Sequence, residues 1–168
     1  MQPKVRRAAP EDGPVILSLV AALAGYEKLT PPDPPAQQRL LSDLFGTRPK
    51  VECHLGEIDG ATVGYAFVFE TYSSFLALPT LYLEDLFVLP AYRDRKVGST
   101  LFRAMVGLAH DRGCGRMEWT VLDWNRPAID FYDRLGARHM KEWLLYRLLR
   151  EEMADILQKA PLGEKRGA

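Results

Sequence analysis

Two apolar runs, residues 51–58 and 62–70, are separated by Asp59-Gly60, a two-residue signal for an antiparallel hairpin. A third run, residues 81–89, follows a loop at 72–79, with no helical pattern in between. Parallel neighbours need a long crossover, usually a helix, so these three strands belong to one antiparallel block. The next passage differs. In residues 97–110, Leu101, Met105 and Leu108 share one helical face, and residues 117–122 return to strand. That strand–helix–strand order from 81 to 122 predicts one parallel crossover.

The flanks complete a mixed α/β chain. Residues 3–7 read as a short strand, and 10–14 as a helix entry with carboxylates where the helix dipole favours them. Val15, Ile16, Leu19, Val20 and Leu23 recur at helical spacing up to Gly25. The proline-dense segment 30–35 is loop, and a second helix covers 35–45. Asn125-Arg126-Pro127 opens a further helix, with Gly136 at its C-terminal cap. Residues 143–149 read as a last strand, 153–159 as a helical turn and 162–168 as a disordered tail. The order is β-α-α-β-β-β-α-β-α-β. A chain of 168 residues holds one domain, placed at 1–160 with a tail at 161–168.

Lys plus Arg and Asp plus Glu both number 22. A net charge of zero argues against a nucleic-acid binder held by broad basic charge. Two cysteines, Cys53 and Cys114, make neither a disulfide framework nor a metal cluster, and His54, His110 and His139 match no ligand spacing. No metal is expected. The first seven residues lack an apolar core, and the apolar stretch 15–24 is about half a membrane span. The expected setting is cytoplasmic, away from membranes.

Two stretches carry chemistry. Residues 83–99 are a buried strand, a charged turn and a helix start. Unpaired amides at such a start bind anions, and Arg93, Arg95 and Lys96 add positive charge. A solvated basic turn capping a helix is the plainer role. Residues 121–137 run from a strand into a capped helix carrying Phe131-Tyr132, where a core tyrosine is the plainer role.

Together these stretches resemble the GNAT superfamily of acetyl-CoA-dependent N-acetyltransferases, whose pattern is Arg/Gln-x-x-Gly-x-Gly/Ala and later Asn-x-x-x-x-x-Phe-Tyr-x-x-x-Gly. Asn125, Phe131, Tyr132 and Gly136 match the second block. Leu23-Ala24-Gly25-Tyr26-Glu27-Lys28-Leu29, Tyr82-Leu83-Glu84-Asp85-Leu86-Phe87-Val88 and Trp124-Asn125-x-Pro127 narrow the resemblance to the diamine/polyamine, spermidine/spermine N-acetyltransferase-like branch. The fold this implies is a mostly antiparallel central sheet, splayed by a cofactor groove and flanked by helices.

The resemblance also implies roles. Acetyl-CoA is the co-substrate. Leu86, Phe87 and Val88 offer main-chain hydrogen bonds to its pantetheine arm, and Arg93, Asp94, Arg95, Lys96, Val97, Gly98 and Ser99 hold its pyrophosphate. Asn125, Arg126, Pro127, Ala128 and Arg134 line its other side. Glu84 is the base, direct or through water, and Tyr132 the acid that protonates the departing thiolate. Tyr26, Glu27 and Glu84 receive the substrate, with Glu118, Trp119 and Thr120 nearby. The implied partners are a small-molecule amine and a second copy in a homodimer paired through C-terminal strands. Two departures stand out: Lys96 replaces the first glycine of the phosphate motif, and Ser74 stands where the spermidine enzymes carry an acid. A protein or peptide N-acetyltransferase of the same fold, or a non-catalytic acyl-CoA-binding protein, are the alternatives.

Overall fold

Asp59 and Gly60 take φ values of 54° and 80°, the left-handed pair that a tight hairpin turn requires. In this computed structural model, which describes residues 2–159, that turn joins β2 (Glu52–Ile58) to β3 (Ala61–Ser73). With β1 (Lys4–Arg7), β4 (Leu78–Val88) and β5 (Arg116–Glu118) they form one sheet in the order β1-β2-β3-β4-β5. The first three pairings are antiparallel. The last, β4 with β5, is the expected parallel one. The chain divides into two compact units, residues 1–120 and 121–168.

The first unit holds the whole sheet and three helices: α1 (Gly13–Glu27), α2 (Pro34–Phe45) and α3 (Val97–Asp111). Asp33 caps α2 by accepting from the Ala36 amide. Alternation along the strands sends Cys53, Leu55, Tyr65, Phe67 and Phe87 to one face, where they pack with Ile16, Leu19 and Leu44 of α1 and α2. The other face receives α3. It closes so tightly over Gly56 that a Cβ there would stand 2.9 Å from Leu101 and Val97. Glycine is required by that approach.

The second unit has α4 (Arg126–Arg134) and α5 (Arg150–Gln158). The strand expected over 143–149 is not present. These residues run as coil with Trp143, Leu144, Leu145 and Tyr146 all more than 70% exposed. Apolar residues favour a strand, but a strand exists only with a partner edge, and among the described residues none pairs with this segment. Three element boundaries also differ. The expected strand at 117–122 is only Arg116–Glu118, α5 starts at Arg150 rather than near 153, and β3 and β4 run into the supposed 72–79 loop. The tail expected at 161–168 lies outside the described residues.

Candidate active site

The site begins with an irregularity in β4. Asp85 pairs with Phe67 and Leu83 with Val68, so Glu84 is an extra residue with no counterpart on β3. A bulge of this kind reverses the alternation of side chains beyond it. Leu83 therefore lies on the α3 face, whereas Asp85 and Phe87 lie on the α1 face. Glu84 itself is exposed. β5 pairs with β4 only at Thr80, Leu81 and Tyr82, so the far edge of β4 from Leu83 onward has no strand partner among the described residues.

Successive amides in a strand face opposite edges. The Leu89 amide donates to Val63 O on the β3 side. The amides of Val88 and Leu86 thus face the open edge, and that of Phe87 faces β3. Phe87 instead contributes a buried ring, 6.3 Å from Tyr65 and 6.4 Å from Tyr26 between ring centres.

Sequence reasoning passed over Asp85. Read with strict alternation it shares a face with Leu81 and Leu83, and only the bulge swings it toward α1. There the Tyr65 hydroxyl donates to Asp85 Oδ2 at 3.0 Å. Burial raises the Asp85 carboxyl to about 6, and the charges of Glu84 and Glu27 push the same way against the Tyr65 hydrogen bond. A second carboxylate beside Glu84 in a largely apolar strand was the one signal available. Glu27 is the last residue of α1, which Lys28 ends in the left-handed region at φ 60°. The Arg93 guanidinium lies 4.4 Å from the centre of the Tyr26 ring, and its Nε donates to Val88 O at 3.3 Å. Tyr26, Phe87 and Arg93 are thereby gathered at the end of β4, and the charges of Glu27 and Glu84 act on Asp85 two residues before Phe87.

The start of α3 lies beside them. A Cβ on Gly98 would stand 3.6 Å from Val88 Cγ2. Lys96 occupies the N-cap at φ 65° and offers no side-chain cap. The Ser99 and Thr100 hydroxyls both turn back to donate to Lys96 O. The first-turn amides of Val97, Gly98 and Ser99 precede the first carbonyl-bonded amide, that of Thr100, an arrangement of the kind that can cradle an anion. Val97 is buried by its side chain, so only its amide serves. Asp94 has φ 61°. Arg95 is held by an ion pair to Asp59.

Glu118 pairs with Arg116 at 3.0 Å, and Thr120 is exposed. Trp119 sets its ring edge-on to Phe102 of α3, at 5.3 Å. That is the opposite face from Tyr26 and Glu27, so Trp119 does not join them as expected; the strand ends before it. In the second unit, Asn125 Oδ1 accepts from the Ala128 amide at the start of α4, Arg126 pairs with Asp130, and Pro127 occupies the first turn. Burial pushes the Tyr132 phenol up to about 12. Arg134 lies in the last turn, where a cation suits the dipole.

A sheet opened beside β4, a bulged strand rich in carboxylates and an amide cradle at the next helix define a class. Residues 22–137 match the acetyltransferase (GNAT) family, and the chain belongs to that family as an N-acetyltransferase. It is 34% identical over 166 residues to the thialysine N-epsilon-acetyltransferase of Bos taurus, covering 92% of this chain and 97% of that protein. Identity to the L-ornithine N5-acetyltransferase NATA1 of Arabidopsis thaliana is 30% over 198 residues, covering 91% of this chain and 87% of the relative. In fold it is similar to the ribosomal-protein-alanine N-acetyltransferase of Brucella melitensis biovar Abortus 2308, with a TM-score of 0.72 at 16% identity over 88% of this chain and 98% of that one.

Proposed function

We propose that this enzyme moves the acetyl group of acetyl-CoA to the primary amine of a small diamine- or polyamine-like molecule. The observation that carries the reading is the convergence of Glu27, Glu84 and Asp85 beside the unpaired edge of β4. Three carboxylates suit a compact cation, and two relatives are named for acetylating a side-chain amine. The donor set also suits CoA. The edge amides of Leu86 and Val88 match the amide-bearing pantetheine arm, and the α3 cradle with Lys96 matches a pyrophosphate.

An alkylamine with a pKa near ~10.4 is only a few parts in ten thousand neutral at pH 7. Attack on the thioester needs that neutral form, and exposed Glu84 is suited to take the proton through water. The amine nitrogen bonds to the acetyl carbon, the carbon–sulfur bond breaks, Tyr132 protonates the thiolate, and the proton that the nitrogen sheds on becoming an amide returns to the phenolate through water. The role of Tyr132 rests on the Asn125 to Gly136 sequence pattern. The same reading makes the enzyme a cytoplasmic homodimer; among the described residues no helix is long and apolar enough to cross a membrane.

An amine panel with CoA thiol release as the readout tests this. Thialysine, ornithine, short diamines and spermidine are expected to release thiol, and a lysine-containing peptide is not. Release with the peptide alone would favour the protein-acetylating alternative. Calorimetric binding of acetyl-CoA without release on any amine would favour a non-catalytic binder.

A further inference from the structure

Tyr65 carries a hydroxyl where packing alone calls for none. Its ring is fully buried, 4.8 Å edge-on from Phe67, in a cluster of Ile16, Leu19, Leu55 and Phe87. Phenylalanine would fill the same volume. A buried phenol needs a partner, and this one donates to Asp85 Oδ2. The bulge at Glu84 is what delivers Asp85 to it, so two departures from a regular apolar sheet meet at one hydrogen bond.

We propose that Tyr65 is a positioning residue for the amine site: its hydroxyl pins the Asp85 carboxylate and keeps it charged within an apolar wall. This rests on the reading of the site as an amine acetyltransferase. The groups around Asp85 make the dependence specific. Glu84 precedes it on β4, Glu27 faces it from α1 and Cys53 from β2. Both glutamates disfavour its ionised form, as does burial. Burial raises Cys53 to about 12, with Asp12 and Asp85 adding to it, so it stays a neutral thiol. Tyr65 is likewise raised, foremost by burial, so it remains a donor throughout the working range. Among the described residues acting on Asp85, Tyr65 is the one whose interaction favours the anion. Without it, Asp85 takes up a proton near neutral pH, and the site loses one of the three charges that attract the substrate's cation.

The test is Tyr65→Phe in the full chain, read two ways. Carboxyl ¹³C resonances, with Asp85 assigned through Asp85→Asn, give its titration without any need for turnover. The midpoint is expected to rise by about one to two pH units, the worth of a hydrogen bond to a charged group. The acid limb of kcat/KM for the amine should move by the same amount, with the loss recovered at higher pH and the KM for acetyl-CoA unchanged. In an Asp85→Asn background, Tyr65→Phe should leave the pH profile where it is. An unmoved carboxyl titration overturns the proposal, whatever the activity. A moved titration with an unmoved acid limb also overturns it, because Asp85 would then lie outside the amine site. If the wild type acetylates no amine, the functional reading fails, and the titration still decides the Tyr65–Asp85 coupling.

Discussion

The guanidinium of Arg93 stacks over Tyr26 and hydrogen-bonds the carbonyl of Val88, so one side chain ties the end of α1 to the end of β4. The sequence pattern assigns Arg93 to the cofactor's phosphates, and the geometry gives it a second task. It holds Tyr26 and Glu27, the residues proposed to receive the amine, against the strand whose Leu86 and Val88 amides are proposed to bind the acyl donor.

Arg93→Lys keeps the charge and loses the planar stack. A cation–π contact is worth about 0.5–2 kcal/mol, so the KM for the amine should rise about 2- to 30-fold. Steady-state kinetics with each substrate varied in turn checks this. A rise confined to acetyl-CoA would return Arg93 to a purely phosphate-binding role.

Lys96 has φ 65°, which costs a non-glycine residue roughly 1–2 kcal/mol. Glycine gives part of that back through its freer unfolded chain. Lys96→Gly should therefore stabilise the fold by about 0.5–1 kcal/mol, a Tm gain of roughly 1–4 °C at this size. Calorimetry decides it. The lysine is retained for its ammonium if Lys96→Glu weakens CoA more than dephospho-CoA, which isothermal titration measures.

How much of this was legible follows the range of the forces involved. Asp59-Gly60, the Asn125 cap and the Leu101–Met105 face of α3 are set by local chemistry, and each was readable from neighbours in sequence. The Glu84 bulge was not. Whether a strand takes in an extra residue depends on its partner's register, and strict alternation hides Asp85 behind Leu81 and Leu83. Trp119 failed for a related reason: β5 stops at Glu118, and the next ring follows Phe102. Residues 143–149 have the composition of a strand, but pairing is a property of two edges, and one chain's sequence states only its own.

Asp85 also sets a pH dependence of stability. Its carboxyl titrates at about 6 when folded, against 3.8 as its ordinary value. Below about pH 3 both states are protonated and the group costs almost nothing. As pH rises toward 6 the unfolded chain ionises first, so the fold loses stability, by at most ~3 kcal/mol above pH 6. Asn still accepts from Tyr65 and carries no charge. Asp85→Asn should raise Tm at pH 8 and leave it nearly unchanged at about pH 3, in a chain whose amine turnover falls. Equal shifts at both pH values would mean that the effect is packing rather than charge.

The exposed apolar residues of 143–149 are a hazard for a lone chain and suit pairing with a second copy. Sedimentation at micromolar concentration should give a dimer, and Leu145→Asp should give a monomer. A wild-type monomer with full activity would remove the homodimer from the functional reading.

Tyr132 carries the most exposed expectation. Its phenol is pushed up to about 12 by burial, so it stays protonated through any physiological range and can give a proton only to a strong base. A nascent, poorly solvated CoA thiolate is such a base, whereas a solvated thiolate, whose thiol has a pKa near ~8.5, is a weaker one. Tyr132→Phe keeps the ring and its 5.3 Å contact with Phe131 and deletes the hydroxyl alone. If the hydroxyl protonates the thiolate, turnover should fall on the order of 10²–10⁴-fold with little change in Tm. If it only satisfies a structural hydrogen bond, Tm should fall, by roughly 1 kcal/mol of stability, with turnover near wild type. Both quantities are measured on one preparation, and unaltered turnover would leave water as the thiolate's proton source.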